Sequence, residues 1–197
     1  MFKKLILFYT FLLLFYGCAS LTPKTETSIG KAVFDVDINT PSKELVAKLN
    51  ETIAVRVNNL QKTVGILPSS LPNDPGTPDI AIKNAAAGFI NFTMPNVTCN
   101  GAYAIISGTD KGVKTNLGTS DSANYTACIY PYKSAYRIYI IGTFISSNRG
   151  GLSGMVASGL KQGIAGTETI QTVWFKNLIK EFQNNFPQAK EIEIDIP

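Results

Sequence analysis

The stretch KAVFDVDINTPSKELVAKLNETIAVRVNNL, Lys31 to Leu60, carries the reading of the fold. Ala32, Phe34, Val36 and Ile38 alternate with Val33, Asp35 and Asp37, the period of two that marks a half-buried strand over Lys31–Asn39. Thr40-Pro41 then offers a hydroxyl cap and a proline whose fixed φ and missing N–H suit a first helical position. Leu45, Leu49, Ile53, Val57 and Leu60 recur at helical spacing, which predicts a helix of about 20 residues with one broad apolar face. A strand handed straight to an amphipathic helix calls for a sheet on which both can pack.

Downstream, LPSSLPNDPGTP (Leu67–Pro78) holds four of the ten prolines and reads as a loop. Candidate strands follow at Gly88–Met94, Ala102–Ser107, Asn124–Tyr132 and Ala135–Ile145. The last two should pair as a hairpin through Lys133-Ser134, with Pro131, which has no N–H to donate, placing that end near a sheet edge. From Asn148 to Gly166 the chain turns glycine-rich, with Gly150, Gly154, Gly159 and Gly163 interleaved with Leu152, Val156, Leu160 and Ile164. Apolar residues every four positions suggest a helix there, and each glycine weakens it by close to 1 kcal/mol relative to alanine. Beyond Thr167, Ile170, Val173, Trp174, Leu178, Phe182 and Phe186 form a wide apolar stripe that Pro187 ends. The chain closes with Ile192, Ile194 and Ile196 alternating with Glu191, Glu193 and Asp195, a strand with an acidic outer face that discourages edge-to-edge pairing.

This order of elements predicts an α+β domain over residues 31–197: an antiparallel sheet with two long helices packed on one face. In element order it resembles the helix-grip and related small modules of lipoproteins in outer-membrane assembly complexes.

The N-terminus is an address. Met1-Phe2-Lys3-Lys4 is basic, Leu5–Tyr16 is apolar apart from Thr10, and Gly17-Cys18-Ala19-Ser20 follows at once. The apolar run is shorter than the roughly 20 residues of a spanning helix and has the layout of a signal peptide, residues 1–17. It resembles that of bacterial lipoproteins, with the small residue Gly17 directly before Cys18. Where that family prefers leucine and then a small residue, this chain has Phe15 and Tyr16. The resemblance implies a diacylglycerol on the Cys18 thiol, palmitate among the acyl chains, and cleavage that leaves Cys18 as the first mature residue. Ala19, rather than aspartate, resembles the members sorted to the outer membrane. The alternative is ordinary secretion with cleavage after Ala19, giving a secreted or soluble periplasmic protein. Residues 18–30, polar and rich in Ser and Thr, then read as a lipid-attached tether of roughly 20 Å.

Three cysteines and no histidine narrow the chemistry. If Cys18 carries lipid, Cys99 and Cys128 are the remaining pair, and an oxidising periplasm would join them; two buried free thiols are the alternative. Without histidine there is no Ser-His-Asp or Cys-His hydrolase and no His-ligated zinc site, and two thiols leave a soft metal short of ligands. No metal, cofactor or catalytic residue is therefore expected. Removing residues 1–17 takes away Lys3 and Lys4, so the cationic count falls from 18 to 16 against 14 acids, and a charge of +2 offers no argument for nucleic acid.

Among the remaining candidates, Asp35 and Asp37 share a strand face and read as its polar side rather than as paired catalytic carboxylates. Asp110-Lys111 in GTDKG reads as a turn. Tyr130, Tyr132 and Tyr136, with Lys133 and Arg137 among them, form a candidate contact surface on the hairpin; half-buried β-forming rings are the plainer reading. Gly150, Gly154, Gly159 and Gly163 have small-xxx-small spacing and form a candidate lid or partner segment. The expectation is a non-enzymatic, lipid-anchored module facing the periplasm that binds or scaffolds another envelope protein. A small hydrophobic-ligand carrier, with residues 148–166 as its lid, is the alternative.

Overall fold

Alternate residues of the first strand face two different layers, and the rest of the architecture follows from that. The computed structural model describes residues 24–87, 90–110, 119–148 and 169–197. The signal segment, Cys18 and the glycines at 150, 154, 159 and 163 lie outside the described residues. The first strand, β1 (Lys24–Asp37), sends Ala32, Phe34 and Val36 to one face and Val33 and Asp35 to the other, as the alternation predicts. It begins earlier than expected. Lys24–Gly30, read from sequence as tether, pair in register with β7, Lys24 opposite Asn148 and Gly30 opposite Gly142.

The first helix, α1 (Ser42–Ala54), buries Leu45, Val46, Leu49 and Ile53. It is shorter than its apolar spacing suggests, because the chain beyond it is claimed by the sheet. Val57 bridges Asp110, and Asn58 N–H donates to the Thr109 carbonyl at 3.1 Å. The chain then enters a short strand, β2 (Gln61–Val64), which the helical reading of Leu60 concealed. The proline-rich loop follows. A ribbon of two strands, β3 (Asp79–Ala87) and β4 (Ile90–Thr98), stands where one strand at Gly88–Met94 was expected.

Three further strands, β5 (Ala104–Thr109), β6 (Thr119–Tyr132) and β7 (Ala135–Asn148), complete the main sheet with β8 (Lys190–Asp195). Its order is β2-β5-β6-β7-β1-β8, with every neighbouring pair antiparallel. The β6–β7 hairpin turns at Lys133-Ser134 as expected, since Tyr132 pairs with Ala135. β6 is interior, and Pro131 lies past its last pairing with β5, Ile129 opposite Ala104, so the missing N–H interrupts no β5–β6 bond.

The second helix, α2 (Ile170–Asn185), starts at Thr169, whose hydroxyl accepts from Thr172 N–H at 3.1 Å. Its rings fill the space between helices and sheet: Phe34 and Phe182 lie 4.5 Å apart between centroids, and Phe144 meets Phe175 edge-on. Trp174 is buried there, as expected of a core anchor. Gly30 and Gly142 make room for these rings, because a Cβ at Gly30 would stand 2.8 Å from Phe175 and one at Gly142 2.7 Å from Phe144 and 3.0 Å from Phe175. The helices are tied to each other where Asn185 Nδ2 donates to Thr52 Oγ1 at 2.9 Å. The opposite face of the sheet is covered too: Val33, Cys128, Tyr130, Tyr139 and Ile141 pack against Cys99, Ile80 and Val97 of the ribbon and its continuation. The result is α+β in three layers: helices, six-stranded antiparallel sheet and ribbon.

Candidate functional site

On the ribbon side of the sheet, Asp35 and Arg137 stand opposite each other in the β1–β7 register. Arg137 Nε donates to Asp35 Oδ1 at 2.5 Å and Nη2 to Oδ2 at 3.0 Å, and Tyr132 Oη donates to the same Oδ2 at 2.9 Å. The guanidinium also lies over the Tyr132 ring. Hydrogen bonding to Asp35 holds Arg137 even more firmly protonated than usual, against the opposing effect of burial. Asp37 is occupied elsewhere, its Oδ1 accepting from the backbone N–H and the Nδ2 of Asn39, both at 2.8 Å. The two carboxylates therefore act separately, one as an ion-pair partner and one as a turn.

The hairpin tyrosines do not form a contact surface. Tyr130 and Tyr136 are 2% and 4% exposed and belong to opposite faces, Tyr130 to the ribbon side and Tyr136 to the helix side. The two-residue turn dictates this: with Tyr132 paired to Ala135, Tyr130 falls opposite Arg137 and Pro131 opposite Tyr136. Tyr132 is partly buried and held by Asp35. The three positions thus serve packing and hydrogen bonds within the fold, Tyr132 with Asp35 and Tyr136 with Ser42.

Cys99 and Cys128 form a disulfide with Cα atoms 5.8 Å apart. Cys99 follows β4 directly and Cys128 lies on β6, so the bond fastens the ribbon to the main sheet. Beside it, the proline-rich loop and the end of the hairpin enclose a cleft of about 320 Å3, lined by Ile66, Pro68, Pro72, Pro75, Tyr103 and Tyr130. Lys133 N–H donates to the Pro72 carbonyl at 3.0 Å, and Gly76 lies so close to the Tyr130 ring that any Cβ would collide with it. Tyr130 Oη is buried with no hydrogen-bond partner among the described residues, and burial, with a contribution from Tyr139, pushes its pKa up to about 12.

The chain matches no family model, no curated protein and no solved structure. A second cleft of about 340 Å3 lies near the start of β2 and is lined by neutral amides and hydroxyls, among them Asn59, Gln61, Ser107, Asn124 and Thr126. A third, of about 310 Å3, separates the helices and carries Arg56, Lys180 and Glu181. Among the described residues no three Cys, Asp or Glu side chains gather as a metal-binding group. The Asp35–Arg137–Tyr132 cluster was missed as a unit by sequence reasoning, because the strand register that assembles it joins residues about a hundred positions apart. The part-buried ion pair and phenol bond one another and have the character of a structural network.

Proposed function

We propose that this protein is a non-enzymatic envelope module, anchored by lipid on Cys18 to the outer membrane and facing the periplasm, that binds or scaffolds another envelope component. The observation that carries the reading is the leader, a basic opening and short apolar run ending in Gly17-Cys18-Ala19-Ser20. The Cys99–Cys128 disulfide supports it, since such bonds persist in oxidising compartments. The space between sheet and helices, filled by Phe34, Phe144, Phe175 and Phe182, supports a binding module over a carrier with an internal cavity. In this reading the two helices on one face of the sheet make a helix-grip-like platform. In sequence, five residues, Ala19–Pro23, separate Cys18 from the start of β1. Confinement in a thin layer raises the effective concentration of the domain for neighbouring partners.

Mass spectrometry of the mature protein tests this reading. An acylated Cys18 at the N-terminus is expected, and Cys18→Ser should release a folded domain from membranes; an unmodified N-terminus at Ser20 overturns the anchor.

A further inference from the structure

The two edges of the main sheet are built differently. β8 carries Glu191, Glu193 and Asp195, and its pairing with β1 slips at Val33/Phe34, leaving Ile192 as the extra residue of a bulge. Edge charges and bulges both deter the addition of another strand. β2 pairs without a slip and carries one charge, Lys62, against the four of β8. Its four residues, Gln61–Val64, are all exposed, and among the described residues they pair with β5 alone.

The phase of that pairing fixes what the edge offers. Gly65 N–H donates to the Tyr103 carbonyl at 2.7 Å, so by antiparallel alternation Gln61 and Thr63 exchange bonds with Ser107 and Ile105. Lys62 and Val64 consequently turn their N–H and C=O groups outward. Apolar side chains continue the strip: Val64 is 44% and Ile66 95% exposed. The two clefts that contain Gln61 and Ile66 lie one at each end of the strand. Lys62 is the single charge on β2.

We propose that β2 is a docking edge for an extended segment of another protein, which adds as an extra strand with an acidic side chain against Lys62 and apolar side chains against Val64 and Ile66. Main-chain bonds to Lys62 and Val64 supply affinity, and the two clefts take side chains from the ends of the segment. A second copy of this chain is the poorer occupant. A four-residue strand covers far less than the roughly 800 Å2 per partner of a stable interface. A short segment is enough where both proteins are confined to one membrane layer, and in this the proposal rests on the anchored-module reading.

The test uses the full acylated chain in detergent and a fluorescent synthetic peptide, Thr-Val-Thr-Val-Thr-Glu-Thr, whose two valines and glutamate share one strand face, read by anisotropy. Saturable binding is expected. Val64→Pro, which removes an outward N–H and no β5 bond, and Lys62→Glu should each weaken it about tenfold or more. The same peptide with lysine in place of glutamate should regain affinity for the Lys62→Glu chain. Methylation of alternate peptide amides should abolish binding to the unaltered protein, a result independent of how any variant folds. Absence of saturable binding, undiminished binding of the methylated peptide, or a concentration-dependent dimer lost in Val64→Pro each overturns the proposal. An acylated chain that binds no peptide refutes the edge and leaves the anchor; a chain that binds it but carries no lipid refutes the anchor and leaves the edge.

Discussion

Asp35 and Arg137 are opposite one another on adjacent strands and joined by two hydrogen bonds, with only 14% and 19% of their side chains exposed. Burial makes the pair matter more when broken than when absent. Arg137→Met strands a carboxylate whose second partner is a phenol, and should cost about 2–4 kcal/mol in urea denaturation, whereas replacing both groups should cost clearly less than the sum of the single changes. Additive costs would refute the coupling.

Tyr130 should make the fold sensitive to alkali. Its phenol titrates near 10 when unfolded and near 12 when folded, so the folded state holds the proton more tightly across that window. Its contribution is fully present below pH 10 and is lost as pH rises through 12, amounting to about 2–3 kcal/mol. Tyr130→Phe should shift unfolding to higher pH. Because the hydroxyl lacks a partner, the variant should also match or exceed the parent at neutral pH by up to about 1 kcal/mol. A loss of more than that on removing the hydroxyl would show that the group is hydrogen-bonded.

The disulfide should govern the ribbon more than the sheet. Cys99→Ala with Cys128→Ala opens a link across 29 positions and should cost about 3 kcal/mol. Hydrogen exchange is expected to accelerate first at Ile80 and Val97, while β6 and β7 stay protected. Uniform acceleration across both layers would contradict a local role for the bond.

Gly30→Ala places a methyl group 2.8 Å from the Phe175 ring and should destabilise by about 1–3 kcal/mol. Phe175→Leu alone also costs stability, but in combination it should recover part of the glycine penalty. A double-mutant cycle with no favourable coupling would place the strain elsewhere.

What could be read from the residues divides along the line between local and non-local information. The alternation of Ala32, Phe34 and Val36 is local, and so is the stripe from Trp174 to Phe182; both emerged where expected, as did the turn at Lys133-Ser134. The faces of Tyr130 and Tyr136 were also available, since a two-residue hairpin fixes them, but the tyrosines were grouped by nearness in sequence. The end of α1 was not available. Leu60 continues the helical period, and only the bond from Asn58 to Thr109 shows that the sheet takes over. The ribbon gave weak signals, because Ala85, Ala86 and Ala87 carry little strand preference and Pro95 interrupts its partner. The ion pair of Asp35 and the place of β2 at the end of the described sheet depend on register and strand order, which no window of sequence contains.

The position of β1 has a mechanical consequence. It lies between β7 and β8, and its pairing with β7 runs unbroken from Lys24 to Asp37. Tension on the chain ahead of Lys24, directed along the strand against the body of the domain, therefore strains that ladder lengthwise instead of peeling it pair by pair. Rupture under load would have to break many bonds together, and the lifetime under force is set by the unfolding rate. The strand that leaves the N-terminal side of the domain is thus also the part best placed to hold when it is pulled.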